Sequence, residues 1–90
     1  MPPNRARGEV SATLGGRSVR LCVTLGGLAA METHFGVSGF DALAERLKTM
    51  GPGDLMAVLG ALAVDGEVPD KVGVGEGIAA VVAAFEAMHG

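Results

Sequence analysis

Two glycine-rich stretches precede helical patterns, and a strand, a Gly-rich turn and a helix are the components of a phosphate-binding loop. The first is TLGGLAAMETHFG, residues 24–36, and the second is GVGEG, residues 73–77. A dinucleotide fingerprint needs G-x-G-x-x-G, and a P-loop needs G-x-x-x-x-G-K-[ST]. Gly26 and Gly27 fit neither pattern, and Glu76 would place a negative charge beside a phosphate. The sequence therefore predicts no nucleotide site.

The other side chains that could carry chemistry are one cysteine, two histidines and ten acidic residues. A nucleophilic cysteine needs a base that activates its thiol, and the sequence around Cys22 supplies none. His34 and His89 share no ligand spacing, so no metal site is predicted. The carboxylates are scattered and form no pair for acid–base catalysis. We therefore predict a protein that is not an enzyme, with no catalytic, cofactor-binding or metal-binding residue and no small-molecule substrate.

Charge is divided unevenly along the chain, whose net charge is −3. Four arginines lie within the first 20 residues, and most of the acidic residues follow them. An acidic body repels phosphates, and three Phe without Tyr or Trp offer few stacking platforms, so nucleic acid is disfavoured as a partner. The first residues lack the apolar core of a signal peptide, and the apolar runs are too short to span a membrane. A single cysteine fits a reducing compartment, and we expect a soluble, cytoplasmic protein.

The elements that position these residues begin with a β-hairpin. The runs EVSATL and RSVRLCVT flank Gly15 and Gly16, and both alternate apolar and polar residues. Paired glycines supply the positive φ that a tight hairpin turn needs. The alternation gives each run one apolar face, formed by Val10, Ala12 and Leu14 and by Val19, Leu21 and Val23. Because an isolated hairpin is marginally stable in water, this face is expected to pack on helices.

Helical patterns follow the hairpin. Thr24 is expected to cap the first helix, which runs to about Phe35 and is stopped by Gly36. The glycines of its first turn allow it to lie close against the hairpin. Ser38 and Asp41 resemble a capping box for the second helix. The third helix is expected to start at Asp54, after the helix-breaking GPG.

A fourth helix is predicted from about Glu76 to Met88. Its apolar side is formed by Ile78, Val81, Val82, Phe85 and Met88. The fold class is therefore α+β, with an N-terminal β-hairpin packed on a bundle of about four short α-helices. Residues 1–8 are expected to form a flexible N-terminal arm, and residues 9–90 a single domain.

Two segments together resemble a known family. They are RGEVSATLGGRSVRLCVTLGGLAAMETHFGVSGFDALAERL and GDLMAVLGAL. Their order and spacing are similar to the small tail assembly chaperone-like proteins of gene transfer agents and related tailed phages, which are encoded with the tail genes. The similarity covers about residues 7–64.

The resemblance implies a non-catalytic chaperone in the tail morphogenesis of a gene transfer agent or prophage. Such proteins are thought to bind the tape measure protein, whose long apolar helices would otherwise aggregate, before the tail tube polymerises around it. A small helical module could cover such a helix by helix-in-groove packing. The tape measure protein or other tail proteins are the implied partners, and whether the chain also forms a homo-oligomer stays open. Exposed members of the third and fourth helices are the expected partner-binding residues: Met56, Val82 and Phe85.

Two other functions are compatible with the sequence. The first is a structural tail component that is retained in the finished particle. The second is a small DNA-binding regulator, which needs a basic recognition helix. The second helix has Arg46 and Lys48, but it also carries Asp41 and Glu45. This mixture of charges disfavours the DNA-binding alternative.

Overall fold

The computed structural model describes residues 8–89 and contains a two-stranded sheet and four α-helices. In chain order the elements are β1 (Val10–Leu14), β2 (Arg17–Leu21), α1 (Leu25–Phe35), α2 (Phe40–Lys48), α3 (Pro52–Leu62) and α4 (Val74–His89). This arrangement confirms the predicted α+β class, with an N-terminal antiparallel hairpin followed by four helices. Of the predicted N-terminal arm, residues 1–7 lie outside the described part of the chain.

β1 and β2 pair around a two-residue turn. Gly15 and Gly16 have φ angles of 58° and 84°, which lie in the left-handed region that such a turn requires. The register places apolar residues of the two strands opposite each other: Val10 with Leu21, and Ala12 with Val19. β2 also forms a single bridge to Ala63, just after α3, through its residue Leu21. The hairpin is therefore held against the helices by backbone pairing as well as by its apolar face.

The first helix is capped as the sequence predicts. The hydroxyl of Thr24 accepts a hydrogen bond from the Gly27 N–H at 3.0 Å, and α1 is followed by Gly36 with a φ of 67°. The predicted close packing of the glycine pair on the hairpin is wrong: only Gly27 makes a close approach, and its partner is α3. A Cβ at Gly27 would lie 2.9 Å from the carbonyl oxygen of Ala61. Glycine at this position thus lets α1 and α3 pack with their backbones in close contact.

The second helix is not capped as the sequence predicts. The capping box expected at Ser38 and Asp41 is wrong, because Gly39 is the N-cap residue and no side-chain hydrogen bond caps the helix. The Gly39 N–H donates instead to Oε2 of Glu32, in α1, at 2.6 Å. α3 begins at Pro52, two residues before the expected start, because a proline in the first turn removes no helical hydrogen bond.

The core is formed by side chains from both strands of the hairpin and from all four helices. Its largest fully buried side chains are Leu14, Leu21, Met31, Leu43, Val58, Leu59 and Leu62. α4 supplies mainly small residues to this core, namely Gly77, Ala80 and Ala84. A Cβ at Gly77 would lie 2.9 Å from Cδ2 of Leu55, so α4 packs closely on α3. Of the residues predicted on the apolar side of α4, only Val81 is buried in the core.

Candidate functional site

An apolar groove lies between α2 and α4 and has a volume of about 580 Å³. Its lining includes two charged residues, Lys48 and Glu86, and is otherwise apolar. The apolar lining residues are Phe40, Ala44, Leu47, Met50, Ile78, Val81, Val82 and Phe85. The groove is thus built from one face of α2, the residue Met50 beyond it, and a face of α4 that includes the buried Val81 and the exposed Ile78 and Val82.

Large side chains in the groove are open to solvent. Phe40 is 48% exposed, Ile78 45% and Val82 51%. Phe85 is half-buried, and its ring meets that of Phe40 edge to face, with centroids 6.5 Å apart and planes at 81°. This is a favourable geometry for two aromatic rings. The contact joins α2 to α4, and the side chains of Ile78 and Val82 beside it stay about half exposed.

The composition of α4 explains why the groove is open. Three small residues of this helix, Gly77, Ala80 and Ala84, face the core, and the larger Ile78, Val82 and Phe85 lie on the flank beside them. A helix that is apolar on more than one side normally buries both sides. In this protein α2 lies next to the groove-lining side of α4 without covering it, so Ile78 and Val82 stay about half exposed.

A second depression continues the apolar surface. It has a volume of about 210 Å³ and is lined by residues of α1 and α2, with Leu25 and Leu28 on one wall. Phe40 lines both this depression and the groove. Leu25 is 86% exposed, which is the highest value among the large apolar side chains described as exposed. The accessible apolar surface is therefore elongated, with Phe40 between its two parts.

The charges on the groove have opposite signs and lie on different helices. Lys48 belongs to α2 and Glu86 to α4. The Lys48 ammonium lies 3.5 Å from the carboxylate of Glu45, but both side chains are at least 70% exposed. Such surface pairs contribute little, so Lys48 remains available to a binding partner. No ion pair of Glu86 is present in the described part of the chain.

The structure separates the three side chains that the sequence proposed for partner binding. Val82 and Phe85 lie together in the groove. Met56 is on α3, is 36% exposed and does not line the groove. The opposite wall, above all Phe40 and Leu47, was missed. In the sequence this wall corresponds to an apolar stripe of the second helix that includes Phe40 and Leu47, and such a stripe predicts a buried face equally well.

The GVGEG stretch contains an acid, Glu76, whose carboxylate accepts hydrogen bonds from backbone amides. Oε1 of Glu76 accepts hydrogen bonds from the backbone N–H of Gly15 at 2.7 Å and of Gly73 at 3.0 Å. These two bonds, the one from Gly15 first, lower the pKa of Glu76 below its ordinary value of 4.5. The backbone amides of Gly15 and Gly73, which could otherwise bind an anion, therefore bind the carboxylate of Glu76. Through this side chain the GVGEG stretch connects the hairpin turn to the start of α4.

A second acid joins α1 to α3. Oδ1 of Asp54 lies 2.8 Å from Nε2 of His34, and Oδ2 accepts a hydrogen bond from the Gly51 N–H at 3.0 Å. The bond from Gly51, followed by that from His34, lowers the pKa of Asp54. Neither His34 nor Asp54 borders the groove. Their geometry is that of a clamp between two helix ends.

Other candidates for chemistry remain apart from one another. Cys22 is half-buried, and its sulfur lies 4.0 Å from the carbonyl oxygen of Val23. In the part of the chain that the structure describes, no cluster of three or more His, Cys, Asp or Glu could hold a metal ion. Over the same residues, no helix is both long enough and apolar enough to cross a membrane. The groove is therefore the feature with the geometry of a binding site.

Comparison with known protein families gives a match over most of the chain. A family model described as "Phage tail tube protein, GTA-gp10" matches residues 7–88. No curated protein and no solved structure gives a significant match. The matched region includes both strands and nearly all of the four helices. It therefore contains both walls of the groove.

Proposed function

We propose a function from the premise that this chain belongs to the GTA-gp10 phage tail tube protein family. Membership places it with the tail proteins of phages or gene transfer agents, and a non-catalytic role is compatible with such a family. Within that setting we assign it an assembly function. It binds the tape measure protein and covers an apolar helix of that protein until the tail tube forms. The tape measure protein is the partner that the resemblance to tail assembly chaperones implies.

The groove between α2 and α4 is the observation that carries this proposal. Monomeric proteins rarely leave contiguous apolar surface open, and larger exposed patches often mark protein interaction sites. Phe40, Ile78 and Val82 are each about half exposed on the two walls. A groove of this kind suits the apolar face of an amphipathic helix. Covering that face would keep a long apolar partner from aggregating.

Co-expression tests the assembly function. A tape measure protein is produced alone, with the wild-type chain, and with the Val82→Asp variant, which places a charge in the groove. We expect the wild type to raise the soluble fraction of the tape measure protein and Val82→Asp to lose this effect. Met56→Ser is the matched control, because Met56 is an exposed apolar residue outside the groove. Equal solubility with and without the wild-type chain would reject the proposal.

A second candidate is a structural subunit that stays in the particle, which the tail tube description of the family favours. An inventory of purified particles by mass spectrometry separates the two functions. An assembly chaperone is absent from finished particles, whereas a structural subunit is present in a fixed copy number. A fixed copy number, together with no effect on the tape measure protein, would support the structural role.

A further inference from the structure

The groove has a positive end and a negative end. Phe40 is the first residue of α2 and Lys48 the last, so they are about 12 Å apart along the helix axis. Glu86 follows Phe85, whose ring contacts Phe40. From this contact we infer that Glu86 lies toward the Phe40 end of the groove, whereas Lys48 lies at the far end of the α2 wall. An occupant lying along the groove meets a negative charge at one end and a positive charge at the other.

We propose that the groove binds about two turns of one amphipathic α-helix and fixes the direction of that helix. The N-terminal end of the bound segment lies at Glu86 and carries a basic side chain. Its C-terminal end lies at Lys48 and carries an acidic side chain. This inference deepens the proposed function and rests on it for the kind of partner, a tail protein with an exposed apolar helix.

The size of the groove fits two turns of helix. A length of about 12 Å corresponds to about eight helical residues. A 150 Å³ apolar cavity holds one benzene molecule, so about 580 Å³ accommodates roughly four groups of that size. Apolar residues at positions i, i+3, i+4 and i+7 of an amphipathic helix supply four such side chains. Their stripe would lie between Phe40 and Val82.

Two electrostatic effects favour the same direction. The N-terminus of a helix carries a partial positive charge and its C-terminus a partial negative charge. Placing the N-terminus at Glu86 and the C-terminus at Lys48 makes both contacts attractive. Side chains of matching sign add one ion pair at each end, and each pair is screened by salt because it is exposed.

Two synthetic peptides test the direction. Both have 18 residues, blocked termini, a fluorescent label and leucines at i, i+3, i+4 and i+7. One has Lys before the first leucine and Glu after the last, and the other has these two residues exchanged. The Lys-first peptide is the poorer helix by itself, because acids favour helix N-termini. A preference of the protein for it therefore cannot come from helicity.

We expect fluorescence anisotropy to show about tenfold tighter binding of the Lys-first peptide to the full chain, with the difference shrinking in salt. The double variant K48E/E86K should prefer the Glu-first peptide. The Val82→Asp variant should bind neither peptide, whereas Met56→Ser should keep the wild-type preference for the Lys-first peptide. Circular dichroism checks that each variant is folded. Equal binding of the two peptides, or the same preference in K48E/E86K, would overturn the inference.

Analytical ultracentrifugation of the free chain tests the alternative occupant of the groove, which is a second copy of the chain. A dimer that Val82→Asp converts to monomer, with no peptide binding, would also overturn the inference. The peptides contain no tape measure sequence, so the two proposals fail separately. Directional peptide binding without solubilisation of the tape measure protein rejects the proposed function. Solubilisation without directional binding rejects the inference about direction.

Discussion

The carboxylate of Glu76 accepts a hydrogen bond from the backbone N–H of Gly15 at 2.7 Å, although 61 positions separate the two residues. The same oxygen accepts a bond from the Gly73 N–H, and a Cβ at Gly15 would clash with the carbonyl oxygen of Lys71. One side chain thus connects the hairpin turn, the loop that crosses it and the start of α4. The first prediction concerns this connection.

Glu76 should make stability depend on pH in the acid range. Its pKa is lowered in the folded protein, so its contribution is present above the ordinary value of 4.5 and is lost as pH falls through the lower folded value. We expect Glu76→Gln to lower the melting temperature at pH 7 and to flatten its fall between pH 5 and pH 3. Glu67→Gln, an exposed acid of the preceding loop, is the control. Parallel curves for wild type and Glu76→Gln would contradict the assignment.

The two glycines of α1 should respond oppositely to alanine. Gly27→Ala places a Cβ 2.9 Å from the Ala61 carbonyl oxygen, so we expect it to cost about 1–3 kcal/mol of unfolding free energy. A Cβ at Gly26 meets only Thr24 Oγ1 at 3.9 Å, and Gly26→Ala should stabilise by about 0.5–1 kcal/mol. Urea unfolding measures both values. Similar effects of the two substitutions would show that α1 does not pack closely on α3.

Asp54 should contribute more to stability than its partner His34. Asp54→Ala removes the hydrogen bond from the Gly51 N–H and the contact with His34, whereas His34→Ala removes the contact with Asp54 and the ring contact with Phe35 but leaves the bond from Gly51. We therefore expect the larger loss of melting temperature at pH 7 for Asp54→Ala. The Asp54 contribution should disappear as pH falls below 3.8, since its pKa is lowered in the folded state. A larger effect of His34→Ala would reverse the assigned order.

The two sides of α4 should differ in their effect on folding. Val82 is 51% exposed, and Val82→Ser should change the unfolding free energy by less than about 1 kcal/mol. Ala84 is fully buried, and Ala84→Leu should cost about 1–3 kcal/mol because the core has no room for the larger side chain. Equilibrium urea unfolding provides the comparison. A large loss in Val82→Ser would mean that this side belongs to the core.

Local signals in the sequence predicted the elements well. The glycine pair at 15–16 specified the hairpin turn, and Thr24 specified the start of α1, because both act through neighbouring backbone groups. The prediction failed at Ser38 because the N–H of Gly39 bonds to Glu32, a residue of the previous helix. A hydrogen bond that comes from another helix leaves no short-range pattern in the sequence.

The sequence indicated only the α4 wall of the groove and not the α2 wall. Val82 and Phe85 stood out as large apolar residues of the last helix. Periodicity could not tell which side of α4 faces the core, because glycine and alanine on one side pack more closely than valine and isoleucine on the other. The position of Phe40 against Phe85 depends on how α2 is placed by α1, and no local pattern encodes that placement.

The buried face of α4, with Gly77 and Ala84, and its exposed flank, with Ile78 and Val82, are subject to different constraints. Changes at Gly77 or Ala84 alter how closely α4 packs on the core, so natural variation there is constrained by folding. Changes at Ile78 or Val82 alter the outer surface and leave that packing intact. Relatives of this chain could therefore diverge along one side of a single helix, each matching its own partner, while the other side keeps the fold unchanged.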